Sequence, residues 1–413
     1  MQALAPNKTK IKKYGSLISP VRDRNEPIYN WHAFKHSYSK KLVEELVKDF
    51  LLPKGSWVLD PFSGGGTTLL ACKELGINAR GLDILPFSVF LSNVKTRSYQ
   101  PKELTEHLSI FSTQRPSAPK ENDSLPDIGI VDLAFSDSVK KELLKIRQQI
   151  GSIKNTKVRD FYMLGLLSIL ESVSNTAKAG GFLRVTNKKI SASRVYPAFL
   201  DRVGKMISDV EKFNANLKHF KSDVVTEIGD ARDFSFNRKF DAIITSPPYP
   251  NRHDYTRIYA LELILNFVQN NTELKKIRYD TLRSHVEARK RFEVAQYKQP
   301  VAVDRIIARI KKEGTNNSKV LEMIEGYFED MYLVLCQMKK SLKKGGKIAL
   351  VVSNVRFSGV NVPVDRILAQ LGEQAGLSTS SVITARYRGN SAQQMETFKR
   401  KPSRESIVVW ENK

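Results

Sequence analysis

Between Asp60 and Thr68 the chain reads Asp60-Pro61-Phe62-Ser63-Gly64-Gly65-Gly66-Thr67-Thr68, directly after the short apolar run Trp57-Val58-Leu59. A strand that ends in a glycine-rich turn at a helix N-terminus lets a ligand approach free backbone N–H groups closely. Gly64 and Gly66 suit that role. The loop lacks the Gly-Lys-Ser/Thr ending that grips a triphosphate, and Asp60, just before it, repels phosphates and attracts an ammonium group. A second acid, Asp83, closes the next apolar run 23 residues on, at the spacing used to hold ribose hydroxyls. An amine at one end and a ribose at the other describe S-adenosylmethionine better than a nicotinamide dinucleotide.

The second group with chemical promise is Ser246-Pro247-Pro248-Tyr249, which follows the run Asp241 to Thr245. Directly after a strand, these side chains sit at the carboxyl edge of a sheet, where ligands bind. Two consecutive prolines remove backbone donors and leave carbonyl acceptors. An exocyclic amine has donors to offer. The Ser246 hydroxyl and a proline carbonyl would hold both of its hydrogens and turn the nitrogen lone pair toward a methyl donor. Tyr249 supplies a flat face on which a base removed from its helix can stack. An isolated Pro-Pro pair is most often a rigid strand-end turn; beside a methyl-donor loop it reads as a substrate holder.

Both loops need one sheet to bring them together. Leu42, Val43, Leu46, Val47 and Phe50 recur at helical spacing, with Ser39 placed to cap the helix and Pro53 and Gly55 to end it. Trp57 to Leu59 reads as a strand, Thr67 to Leu75 as a helix stopped by Gly76, and Ala79 to Leu82 as a second strand. Strand, glycine loop, helix, strand and acid form the opening βαβ of a doubly wound sheet. Further strands are expected at Val224 to Ile228, ending in Gly229-Asp230, and at Asp241 to Thr245. A helix over Val320 to Leu342 and a turn at Lys343-Lys344-Gly345-Gly346 lead to a strand at Lys347 to Val352. Ser380 to Ala385 and Ser406 to Trp410 suit a closing antiparallel hairpin. The expected fold class is therefore α/β, a single sheet interrupted twice.

The interruptions set the expected organisation: 1–99 as N-terminal segment and first half of the core, 100–222 as an insertion, 223–270 as core, 271–320 as a second insertion and 321–413 as the remainder of the core. The first insertion opens with a polar loop, Gln114 to Asp127, turns helical over Phe161 to Ala177, and carries a basic stretch, Arg184 to Arg194. The second is helical and basic, with Lys275, Lys276, Arg278, Arg283, Arg289, Lys290, Arg291, Arg305, Arg309, Lys311 and Lys312. Over the whole chain of 413 residues, Lys and Arg total 67 against 43 Asp and Glu, a net charge of +24. That excess points to a polyanionic partner such as nucleic acid. No run of roughly 18 apolar residues exists to cross a membrane, and Met1 to Tyr14 has no apolar core of a secretory signal. Two cysteines far apart, Cys72 and Cys336, argue against a disulfide scaffold and fit a reducing compartment.

The two loops together resemble those of the DNA amino-methyltransferases, which methylate the exocyclic nitrogen of cytosine or adenine. The resemblance covers chiefly 28–98, 223–266 and 340–411. It implies the class I, Rossmann-like methyltransferase fold with seven strands, and S-adenosylmethionine as methyl donor. Asp60, Phe62, Gly64, Gly66 and Thr67 match its first motif, at the methionine end of the donor. Asp83 matches the ribose-binding acid, Ile84 the residue beside the adenine, and Asp230 the acid that reads the adenine amino group. Asn30-Trp31-His32 through Phe34 and Tyr38 is similar to a segment near the methionine moiety. Ser246, Pro247, Pro248 and Tyr249 match the catalytic motif in the spelling typical of cytosine-N4 enzymes; adenine-N6 enzymes usually begin it with Asp or Asn. Here the donor loop precedes the catalytic loop, the reverse of many cytosine-N4 enzymes, which leaves the two insertions as candidates for target recognition. The resemblance further implies double-stranded DNA as partner, a cognate restriction endonuclease, and a cytoplasmic bacterial or archaeal setting.

Methylation at carbon 5 of cytosine needs a cysteine nucleophile, in that family a Pro-Cys pair. Cys72 follows Ala71 and Cys336 follows Leu335, both within helical patterns, so both read as apolar filler. An adenine-N6 enzyme, an RNA guanine-N2 enzyme and a silent DNA-recognition subunit are the alternatives. Only about 55 residues precede the first strand, which leaves little room for an N-terminal RNA-binding domain. Tyr255, Arg257 and Tyr259 fit either a base pocket or helix packing. The segment 271–320 fits either DNA-backbone contact or a solvated face, and the turn Arg386 to Ser391 fits either target contact or a surface hairpin. His32, His36, His253 and His285 show no metal-ligand spacing.

Overall fold

The structure, a computed structural model, describes residues 13–115, 118, 123–216, 221–294, 296–315, 317–389 and 402–413. Its strands are β1 (Trp57–Asp60), β2 (Asn78–Asp83), β3 (Thr176–Ala179), β4 (Phe182–Val185), β5 (Val224–Ile228), β6 (Phe240–Thr245), β7 (Leu342–Ser353), β8 (Val355–Phe357), β9 (Val360–Val362), β10 (Ser378–Arg388) and β11 (Ser403–Glu411). Seven of them form one sheet in the order β10-β11-β7-β6-β1-β2-β5. β5, β2, β1, β6 and β7 run parallel, whereas β11 is antiparallel to both β7 and β10. β3–β4 and β8–β9 are separate two-stranded hairpins.

Side chains alternate across a strand, and both faces of this sheet are covered, as parallel sheets require. Leu59, Ile243, Ile348, Leu350 and Val352 face one cluster with the helices Val301–Glu313, Lys319–Ser341 and Val364–Gln374. Val58, Ala242, Ile244, Ala349 and Val351 face the other, with the helices Lys40–Asp49 and Thr67–Leu75. The helix Pro86–Thr96 turns Phe87, Leu91 and Val94 into a third cluster, built with the helices Pro101–Thr113, Asp137–Gly151, Thr156–Ile169 and Val195–Asn216. Within 271–320, the helix Val301–Glu313 buries Val303, Ile306, Ile307 and Ile310 against the sheet-face cluster.

Three local expectations are corrected. Ser39 precedes the helix Lys40–Asp49 without capping it; its hydroxyl donates to the Leu17 carbonyl (2.8 Å), and Lys40 N–H donates to Asp23 instead (2.8 Å). The helix expected to run from Phe161 to Ala177 ends at Ile169, because Thr176 and Ala177 belong to β3. The turn expected at Lys343 to Gly346 is part of β7, which absorbs it as an irregularity in its pairing with β6, with Gly345 at φ +74°. Residues 116, 117 and 119–122 of the loop Gln114 to Asp127 lie outside the described residues.

Candidate active site

The loops after β1, β2, β5 and β6 open onto one cleft of about 920 Å³ including its mouth. Of the twelve residues singled out by the sequence, Asp60, Phe62, Gly64, Thr67, Asp83, Ile84, Asp230, Ser246 and Pro248 line it, joined by Phe34 and Tyr38. The glycine turn hugs Phe34: Gly64 sits at φ +49°, and a Cβ there would meet the Phe34 ring at 2.9 Å. Gly66 is the exception. It caps the helix Thr67–Leu75 at φ +76°, and a Cβ would lie 2.7 Å from Ser92 Oγ, so it serves the approach of two helices and does not line the cleft.

Asp60 is buried, and its carboxylate accepts from Thr245 Oγ1 (2.6 Å), Phe62 N–H (3.1 Å) and Tyr38 OH (3.4 Å). Asp83 accepts from Gly64 N–H (2.9 Å) and Leu85 N–H (3.0 Å), which fixes the turn and leaves acceptor capacity on both oxygens. Burial pushes each carboxyl up to about 6 against these hydrogen bonds. Asp230 differs. Both its oxygens are taken, by Arg232 N–H (3.0 Å), Nε (2.9 Å) and Nη2 (2.9 Å) and by Lys290 Nζ (3.1 Å). Burial would raise its carboxyl, but the Arg232 guanidinium holds it below the usual range. Only the exposed Lys290 contact is readily exchanged for a ligand.

A second cavity, about 1960 Å³ with its mouth, adjoins the first, and His36 and His285 line both. Tyr249 lines this second cavity, so the catalytic-motif residues divide between the two spaces; Pro247 is buried and lines neither. Ser246 Oγ stands 3.2 Å from Tyr249 OH and donates to the Val351 carbonyl (3.0 Å). Its proton is thus engaged in the sheet, Tyr249 OH donates to it, and one lone pair remains for an incoming donor. Arg252, Arg257, Arg356 and Arg388 surround the same cavity with Asp254 and Glu287, a cationic excess. The His36 and His253 rings lie there with centroids 4.5 Å apart and planes tilted by 34°, and His36 Nε2 and His253 Nδ1 are buried without a partner. Burial keeps both rings neutral, at about 3 and about 4.

Tyr255 faces the first cleft and Arg257 the second cavity, whereas Tyr259 is fully buried against Phe34 and accepts from Lys35 N–H (2.7 Å). Trp31 is core, and His32 pairs with Glu262 (2.9 Å). Arg386 and Arg388 pair with Glu405; Asn390 and Ser391 lie outside the described residues. Of the basic residues in 271–320, Arg283 is buried against Asp330 and Glu329, and Arg278 pairs with Asp254 (2.9 Å), so these two serve the fold. Sequence reasoning missed the cluster Arg232–Asp330–Arg283, which ties Asp230 to the segment Thr281 to His285 on the cleft wall. Asp330, an acid buried in the otherwise apolar face of the helix Lys319–Ser341, was its one available signal.

The cleft fits S-adenosylmethionine. Two buried hydroxyls on its wall, Ser63 Oγ and Ser88 Oγ, have no partner, and buried polar groups are otherwise paired. Two carboxylates, Asp60 and Asp83, line it as well. Sheet order, glycine turn and acids define a class I S-adenosylmethionine-dependent methyltransferase. The DNA methylase family N6_N4_Mtase matches residues 5–92. The Type II methyltransferase M.BsoBI of Geobacillus stearothermophilus is 30% identical over 96% of this chain and 87% of that one. M.AvaI of Anabaena variabilis is 28% identical over 95% of this chain and 88% of that one, and M.MvaI of Kocuria varians 21% identical over 81% and 80%. The chain belongs to this family of Type II DNA amino-methyltransferases, and its cofactor is S-adenosylmethionine. Among the described residues no helix is long and apolar enough to cross a membrane.

Proposed function

We propose that this enzyme methylates the exocyclic N4 of cytosine in double-stranded DNA, with the base flipped out of the duplex, as the modification half of a restriction–modification pair. Bound in the first cleft, the cofactor supplies an activated methyl group, so the protein's task is alignment in a dry site. Asp60 faces the cofactor's ammonium, Asp83 its ribose hydroxyls and Ile84 its adenine; Phe62, Gly64 and Thr67 shape the methionine end. The observation that carries the reading is Ser246, whose hydroxyl proton is engaged by Val351 O. Its oxygen therefore accepts from an exocyclic amine, with the Pro247 carbonyl as second acceptor. Tyr249 provides the stacking face for the extruded base, and the cations around the second cavity attract backbone phosphates.

Cytosine is favoured over adenine by the Ser-Pro-Pro-Tyr spelling. Transfer of labelled methyl from the cofactor to unmodified genomic duplex DNA, followed by nucleoside analysis, tests this. N4-methylcytosine is expected; N6-methyladenine would refute the cytosine assignment and keep the amino-methyltransferase.

A further inference from the structure

The hairpin β3–β4 has four residues per strand, yet a buried ion cluster holds it from behind. Lys178 Nζ and His32 Nε2 both contact Glu262 Oε1, and the three side chains are at most 6% exposed. Burial alone would raise the Glu262 carboxyl, but the Lys178 charge and the His32 hydrogen bond hold it at about 2. The hairpin backbone is tied down as well: Lys178 N–H donates to Glu171 Oε1 (2.9 Å), Lys35 Nζ to the Lys178 carbonyl, and Thr186 N–H to the Asn175 carbonyl (2.7 Å). At the tip, Gly180 adopts φ +57°, and Gly181 presses on His253, where a Cβ would come within 2.8 Å of the ring.

Burying charges in an apolar core is unfavourable, and well-packed apolar side chains do the structural work as well or better. What this cluster fixes in place is one exposed ring. Phe182, at the start of β4, is 52% exposed and lines the second cavity together with Tyr249. It is the only exposed phenylalanine among the described residues. Val185, at the far end of the same strand, is also exposed, as are the cations Arg184, Lys188 and Lys189. An apolar ring on a braced hairpin, flanked by positive charge and lining a cavity with ample room for an extruded base, suits the base stack of a duplex.

We propose that Phe182 is a wedge that enters the target duplex beside the flipped pair and holds the gap open while the extruded base occupies the second cavity. The proposal rests on the base-flipping reading above. Unstacking a base step is unfavourable, and an aromatic ring stacked on the exposed neighbour restores part of the lost stacking. Rigid bracing matters because a wedge on a yielding loop would be displaced by the closing stack.

The test uses the full-length enzyme. Sequencing of methylated genomic DNA gives the target site, and synthetic duplexes then carry it either fully paired or with the target base mispaired. Phe182→Ala should slow methylation of the paired duplex about tenfold or more, bind cofactor as wild type does, and regain a near wild-type rate on the mispaired duplex. Phe182→Trp should keep activity on both. A wild-type rate for Phe182→Ala on paired DNA, or an equal loss on both substrates, overturns the wedge. Absence of any methylated base with the wild-type enzyme would instead overturn the function it rests on.

Discussion

Acidification from pH 7 to pH 5 should weaken cofactor binding through Asp60. In the free enzyme burial raises its carboxyl, and that of Asp83, to about 6. The ligand's ammonium prefers the ionised form, so affinity is full above the raised value and falls as pH drops through it. At pH 5 a group with that value is ionised about one time in eleven, which weakens binding about tenfold, or ~1.4 kcal/mol. If Asp83 must be ionised too, the loss approaches about a hundredfold. Neither the amine nor the carboxylate of the ligand changes charge in this window. His36, on the cleft wall, stays neutral because burial holds it at about 3. Calorimetric titration with S-adenosylhomocysteine, which keeps the amine and the ribose without turnover, reads the effect directly. Asp60→Asn should weaken binding at pH 7 and flatten the pH profile. A dissociation constant that does not change between pH 7 and pH 5, or an unchanged profile in Asp60→Asn, would refute the reasoning.

With the proposed roles, Ser246 accepting from the amine and Tyr249 stacking the base, Ser246→Ala and Tyr249→Ala should keep cofactor affinity and lose about a hundredfold or more in turnover; a wild-type rate in either removes its role. Gly66→Ala should destabilise the fold by about 2–5 kcal/mol in a denaturant titration, from the left-handed backbone and the contact with Ser92 together. Arg283→Ala leaves the buried Asp330 with Arg232 alone, and the same titration should register a loss of about 3–5 kcal/mol. Cys336→Ala should leave transfer of labelled methyl to duplex DNA unchanged, because no cysteine lines either cavity.

Whatever depends on a few neighbouring residues was legible in the chain. The glycine turn after Asp60 needs left-handed backbone at Gly64 and Gly66, and only glycine adopts it cheaply. The continuous apolar run from Ile348 to Val352 spells a strand buried on both faces, and Pro247-Pro248 spells a rigid turn at a strand end. Errors arose where a local pattern had a distant competitor. Helical periodicity continues past Ile169, but Thr186 pairs with Asn175, and the Ser174 and Thr176 hydroxyls bond to each other, which draws the chain into β3.

Only tertiary structure decided which members of the motifs share a space. Ser246 and Tyr249 touch through their hydroxyls at 3.2 Å, yet Ser246 lines the first cleft and Tyr249 the second cavity, so the pair stands where the two spaces adjoin. Gly66 looks like its neighbour Gly64 in sequence, and packing against Ser92 assigns it another duty. Arg278 and Arg283 count toward the basic excess of the chain, but Asp254 and Asp330, far away along it, consume their charge. Composition records how many cations exist; which of them face a partner is set by the acids that folding brings beside them, and such long-range pairings leave no trace in local spacing.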